Sequence, residues 1–156
     1  MSLIRVMLVD DEAIVRDGLR SCIDWEANGF SVETLEENGA RALAYMEKNP
    51  VDLVVTDIKM PVLDGLELIR QSKEADYPAK FLILSGYDDF AYAQKALRYG
   101  ADDYILKPIK EEELLNALIR IRDRYFPKLQ TMLRLTPDRY SRTVKQIISY
   151  VDMNMD

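Results

Sequence analysis

Five short apolar runs alternate with helical stripes along this chain, and that alternation restricts the possible architecture more than any other property. Ile4–Val9 is the first run, and Asp10-Asp11 ends it. Residues 30–35, 51–55, 81–84 and 104–106 are the other four. Between the runs, apolar residues recur at the three- and four-residue spacing of a helix face. Ile14, Val15, Leu19, Cys22 and Ile23 make the first stripe, and Ala40, Leu43 and Ala44 the second. Residues 65–73 read as a short third helix, Phe90, Ala93 and Leu97 as a fourth, and Leu114, Leu118 and Ile121 as a fifth. Near-continuous apolar runs suit parallel strands covered on both faces. Five of them interleaved with five helices predict βαβ units with right-handed crossovers, an α/β fold built on a doubly wound parallel sheet. That unit is complete near residue 124.

The residues that end the runs are polar. In a doubly wound sheet, ligands bind beyond the carboxyl ends of the strands. The first run ends in Asp10-Asp11, the third in Asp57, the fourth in Ser85 and the fifth in Lys107. Each has an ordinary explanation when taken alone. Asp10-Asp11 suits a helix N-cap, Asp57 a turn before Lys59-Met60-Pro61, Ser85-Gly86 a strand-to-loop step, and Lys107-Pro108 a solvated turn. Their shared position at one rim favours a site. Carboxylates gathered in one pocket repel each other unless a cation is present. The chain has no histidine, which excludes Ser–His–Asp and Cys–His catalysis and His-containing zinc sites. Oxygen-only ligation points to a hard ion, and a site completed by water suits Mg²⁺. Such an ion would neutralise a phosphoryl group transferred to one of the acids.

The segments Leu8-Val9-Asp10-Asp11-Glu12, Thr56-Asp57-Ile58-Lys59-Met60-Pro61-Val62-Leu63-Asp64-Gly65, Leu84-Ser85-Gly86 and Tyr104-Ile105-Leu106-Lys107-Pro108 resemble, in order, the motifs of two-component response-regulator receiver domains. The resemblance covers roughly residues 4–124. It implies a flavodoxin-like sheet of strand order 2-1-3-4-5. It further implies that Asp57 takes phosphate from a phosphohistidine on a sensor histidine kinase. Asp11 and Asp57 would ligate Mg²⁺ directly with the Lys59 backbone carbonyl, Asp10 acting mainly through water. Lys107 would pair with phosphoryl oxygens, Ser85 would move to hydrogen-bond them, and Tyr104 would swing inward behind Ser85. In this family the Lys107-Pro108 bond is usually cis. In the family it resembles, the positions two past the phosphoacceptor and two past the hydroxyl tune the access of water to the acyl phosphate. Here they are Lys59 and Tyr87, both large, and a slowed hydrolysis is the expectation.

The rest of the chain differs in charge. From residue 125 onward five Lys/Arg stand against three Asp, whereas the preceding 124 residues carry 16 against 24. The overall charge of −6 argues against nucleic-acid binding by the whole fold. Tyr125-Phe126-Pro127 breaks the fifth helix, and 125–140 reads as a linker. In 141–156, Val144, Ile147, Ile148 and Val151 form an amphipathic stripe, and residues 140–151 resemble the first helix of an AraC-type helix-turn-helix domain. The expectation is the start of a truncated effector domain, with a C-terminal dimerisation helix as the alternative; DNA contact would then need the missing part. Part of Met1-Ser2-Leu3 reads as a cloning remnant. No run reaches the roughly 18–20 apolar residues that cross a bilayer. A lone Cys22 fits a reducing compartment, so a cytoplasmic protein with a buried structural thiol is expected. Many members of the family dimerise through the fourth helix, fifth strand and fifth helix. An aspartyl-phosphate hydrolase is disfavoured because Lys59 stands where such enzymes carry a second Asp. No phosphate-binding glycine loop of the nucleotide-binding kinds is present, and the intact set of site residues argues against a pure docking module.

Overall fold

The computed structural model describes residues 3–127. Strand β1 (Ile4–Val9) lies inside a five-stranded sheet with β2 (Phe30–Glu36), β3 (Leu53–Asp57), β4 (Lys80–Ser85) and β5 (Asp103–Leu106). All pairings are parallel, and the order is β2-β1-β3-β4-β5. The central strands are buried along nearly their whole length, which is why they read as unbroken apolar runs. The edge strands β2 and β5 are half-exposed, since one side of each lacks a neighbour. β2 also slips register opposite Val6/Met7, where the exposed Glu33 is accommodated as a bulge.

Successive strand residues point to opposite faces. Val6 and Leu8 join Leu53, Val55, Leu82 and Leu84 on the face covered by α1 (Ala13–Cys22) and α5 (Glu111–Tyr125). Met7 and Val9 join Val54, Phe81 and Ile83 on the face covered by α2 (Gly39–Lys48), α3 (Gly65–Glu74) and α4 (Phe90–Tyr99). Asn38 caps α2 by accepting the Arg41 N–H at 2.9 Å, and Asp64 caps α3 by accepting that of Glu67 at 2.9 Å. Gly100, at φ 117°, ends α4 in the left-handed conformation that favours glycine.

Several stripe residues lie elsewhere than periodicity suggests. Ile14 is 80% exposed, because α1 turns only Leu19 fully inward. In α2 the buried face is Gly39, Ala42 and Met46, with Ala44 exposed. In α4 the small residues Ala93 and Ala96 touch the sheet, and the bulkier Phe90 and Leu97 flank the contact. Cys22 is half-buried at the end of α1, not enclosed. α5 holds the opposite surprise: Arg122 is fully buried. Its Nη1 donates to the Asn28 carbonyl at 3.1 Å and its Nε to Asp123 at 3.0 Å. Two short 3-10 turns, Glu26–Asn28 and Tyr87–Asp89, complete the described elements. The segment 141–156, and all but the first three residues of 125–140, lie outside the described residues.

Candidate functional site

β1, β3, β4 and β5 deliver their terminal polar residues to one rim. Asp10 is fully buried just past β1, Asp57 is 7% exposed at the end of β3, and Asp11 is exposed. One oxygen from each of these three carboxylates lies within 4.8 Å of the others. The Lys107 ammonium sits 3.2 Å from Asp57 Oδ2 and 3.6 Å from Asp10 Oδ2. Neither Asp10 nor Asp11 caps α1, whose N-cap is Glu12 with no side-chain capping bond. Asp10 Oδ1 instead accepts the Glu12 N–H at 2.9 Å, and Arg16 donates to the Asp10 carbonyl at 2.7 Å. The chain's departure from β1 is thereby fixed, with the second Asp10 oxygen left over.

The β3–α3 loop is held as tightly. The Ile58 N–H donates to Asp57 Oδ1 at 2.8 Å, and the Gly65 N–H to the Ile58 carbonyl at 2.7 Å. A Cβ on Gly65 would stand 2.8 Å from the Asp57 carbonyl oxygen, so glycine alone allows this approach.

Burial pushes the Asp57 carboxyl up to about 6; the Lys107 ammonium opposes that rise and the Asp10 carboxylate adds to it. Burial works against the Lys107 ammonium too, but Asp57 and Asp10 outweigh it and raise its pKa. Two of the three clustered carboxylates, Asp10 and Asp57, thus share one ammonium, and the buried Asp10 Oδ2 has no hydrogen-bond partner. A hard divalent cation matches that surplus of oxygen ligands and negative charge.

Ser85 is fully buried, with its hydroxyl donating to the Gly86 carbonyl at 3.1 Å and not to an acid. Tyr104 is half-buried and meets Phe90 edge-on at 5.9 Å between ring centroids. The Lys107-Pro108 peptide is cis. The Lys59 side chain is engaged by the segment that opens α4. Its Nζ lies 3.1 Å from Asp89 Oδ1 and 4.9 Å from the centre of the Tyr92 ring. The hydrogen bond and charge of Asp89 raise the pKa of Lys59. Lys59, Met60, Pro61, Asp64 and Tyr92 line an open groove of about 400 Å³ beside the site. Tyr87 opens the 3-10 turn that follows β4, and its side chain, on which the water-access expectation falls, lies outside what the structure describes. Sequence reasoning passed over Asp89 and Tyr92, whose one signal was an acidic pair, Asp88-Asp89, shortly after Ser85.

Known proteins share the sequence pattern and the fold. The model for the response regulator receiver domain matches residues 6–119. The transcriptional regulatory protein YesN of Bacillus subtilis is 38% identical over 117 residues, covering 75% of this chain and 32% of YesN. Response regulator MprA of a Mycobacterium species is 37% identical over 147 residues, covering 90% of this chain and 63% of MprA. The chain therefore spans less than two thirds of these relatives. Among solved structures, the receiver domain of AraT, a response regulator from Geobacillus stearothermophilus, superposes with a TM-score of 0.72 at 34% identity, over 81% of this chain and 98% of that one. With the family model covering most of its length and the acid cluster at the expected rim, this chain belongs to the response regulator receiver domain family.

Proposed function

We propose that Asp57 is the phosphoacceptor of a two-component signalling switch and that a sensor histidine kinase is the donor. An Asp57 carboxylate oxygen attacks the phosphorus of a phosphohistidine. The P–N bond breaks, its electron pair stays on the imidazole, which takes up a proton, and an acyl phosphate remains on Asp57. Asp10, Asp11 and Asp57, with the Lys59 backbone carbonyl, would hold a Mg²⁺ ion, which would supply positive charge to the phosphoryl oxygens. Lys107, already 3.2 Å from Asp57, neutralises a further oxygen. The acyl phosphate brings about −1.5 to −2 charges and three acceptors to this rim. Ser85 turns from the Gly86 carbonyl to donate to one of them, and Tyr104 follows it inward. Lys59 and Tyr87 restrict attacking water and prolong the modified state. The protein is a switch, with no turnover of an external substrate.

The observation that carries this reading is the buried Asp57 carboxylate, set between Lys107 and two further acids at the end of β3. Residues 1–124 form the receiver, 125–140 a linker, and 141–156 the start of an AraC-type effector through which DNA is bound and transcription regulated. AraT and a two-component regulator described as AraC from Clostridium phytofermentans, 34% identical over 76% of this chain and 92% of that one at a TM-score of 0.67, support that effector type. The exposed Phe90, Leu97 and Tyr99 of α4 suit a homodimer through α4, β5 and α5. Among the described residues no helix is long and apolar enough to cross a membrane, and a cytoplasmic protein fits the kinase partner. Incubation with Mg²⁺ and a small phosphodonor is expected to add the mass of one phosphoryl group, which Asp57→Asn abolishes. An unchanged mass gain in that variant would overturn the assignment, and steady phosphate release would favour a hydrolase.

A further inference from the structure

Asp89 occupies the N-cap position of α4 yet makes no side-chain capping bond. Its carboxylate is spent elsewhere. Oδ1 pairs with Lys59 Nζ at 3.1 Å, and Oδ2 lies 3.4 Å from where a Gly86 Cβ would stand. The Asp89 side chain is only 17% exposed, so the pair is partly shielded. The Asp89 N–H donates to the Gly86 carbonyl at 2.9 Å, and that same carbonyl accepts the Ser85 hydroxyl at 3.1 Å. A continuous polar path thus runs from Lys59 in the phosphoacceptor loop, through Asp89 and Gly86, to Ser85. The ring of Tyr92, one turn into α4, lies under the Lys59 ammonium at 4.9 Å and braces the same junction.

We propose that Asp89 is a positioning residue that, tethered by Lys59, keeps Ser85 turned toward Gly86 and away from Asp57. This inference rests on the phosphoacceptor reading given above. Lys59 lies two residues along the chain from Asp57, so a phosphoryl group there competes with Asp89 for its ammonium. Once the tether loosens, the 3-10 turn is free to move and Ser85 to rotate. The latch therefore opposes the phosphorylated arrangement. A group that stabilises only the unmodified arrangement lowers the apparent affinity for a phosphoryl mimic.

The test uses the full 156-residue chain with Mg²⁺ and beryllofluoride, a phosphoryl mimic, titrated calorimetrically. Asp89→Ala and the isosteric Asp89→Asn are expected to bind beryllofluoride about threefold more tightly than the parent, the range set by one partly exposed ion pair. The same variants are expected to melt at a lower temperature without the mimic. A residue with a merely structural role would lower stability and affinity together. In Lys59→Met/Asp89→Asn the gain should not exceed that of Asp89→Asn alone. Unchanged or weaker binding by both Asp89 variants, with Asp57→Asn still abolishing it, would overturn the latch alone. Binding that survives Asp57→Asn would instead overturn the phosphoacceptor reading beneath it.

Discussion

Replacing Asp57 by asparagine in metal-free protein removes a charge that the fold holds at a cost. The carboxyl is pushed from its ordinary 3.8 to about 6, with the Lys107 attraction already included in that balance. Between those values the native state binds more protons than the unfolded chain, so stability falls as pH rises through the window and stays low above it. The gap of about 2 pH units corresponds to about 3 kcal/mol, at about 1.4 kcal/mol per unit. Screening at the open mouth of the pocket reduces this to about 2 kcal/mol. Asparagine retains an oxygen for the Ile58 N–H, now at 2.8 Å, so the loop keeps its anchor. Urea unfolding with a chelator present should find Asp57→Asn about 2 kcal/mol more stable at pH 7.5, or about 8 °C in Tm. The advantage should shrink toward zero as pH falls through 6 to 4. Added Mg²⁺ should stabilise the parent protein more than the variant and narrow the difference. A variant no more stable than its parent at neutral pH, or a gap that ignores pH, would refute the reasoning.

Lys107→Met removes the cation that opposes burial at Asp57, so the midpoint for phosphorylation from a small phosphodonor should move to higher pH; a pH–rate profile checks this. Gly65→Ala places a methyl 2.8 Å from the Asp57 carbonyl oxygen and 2.9 Å from the Ile58 Cα, both backbone atoms that must shift. A loss of about 1–3 kcal/mol in denaturant unfolding, together with severalfold weaker Mg²⁺ binding by titration, is the expected outcome.

The strands were legible because the three central ones carry runs that suit a sheet covered on both faces, and Ile4–Val9 emerges with the bounds read from its residues. The acid rim was equally legible, since strand ends fix where Asp10, Asp57 and Lys107 meet, with Ser85 at the same rim but its hydroxyl turned to Gly86. Helix faces were less so. Periodicity marks Phe90 and Leu97 as inward, but α4 approaches the sheet through alanines, and Phe90 serves instead as a wall for Tyr104. The Lys59–Asp89 pair was invisible for a different reason. It joins two loops 30 residues apart, and a charge in a loop carries no pattern that names its partner. Arg122 was missed likewise, because a cation within a helix reads as solvated until the Asn28 carbonyl comes to meet it.

That buried guanidinium also sets an orientation. With Nη1 on the Asn28 carbonyl and no solvent around the side chain, α5 cannot roll about its axis without stranding a charge among apolar groups. The azimuth at which the helix hands over to the residues beyond Tyr125 is therefore indexed to the loop before β2. Each residue inserted into or deleted from the helix after Arg122 would rotate whatever follows by about 100°. Between Arg122 and the helix end at Tyr125, length therefore matters more than composition.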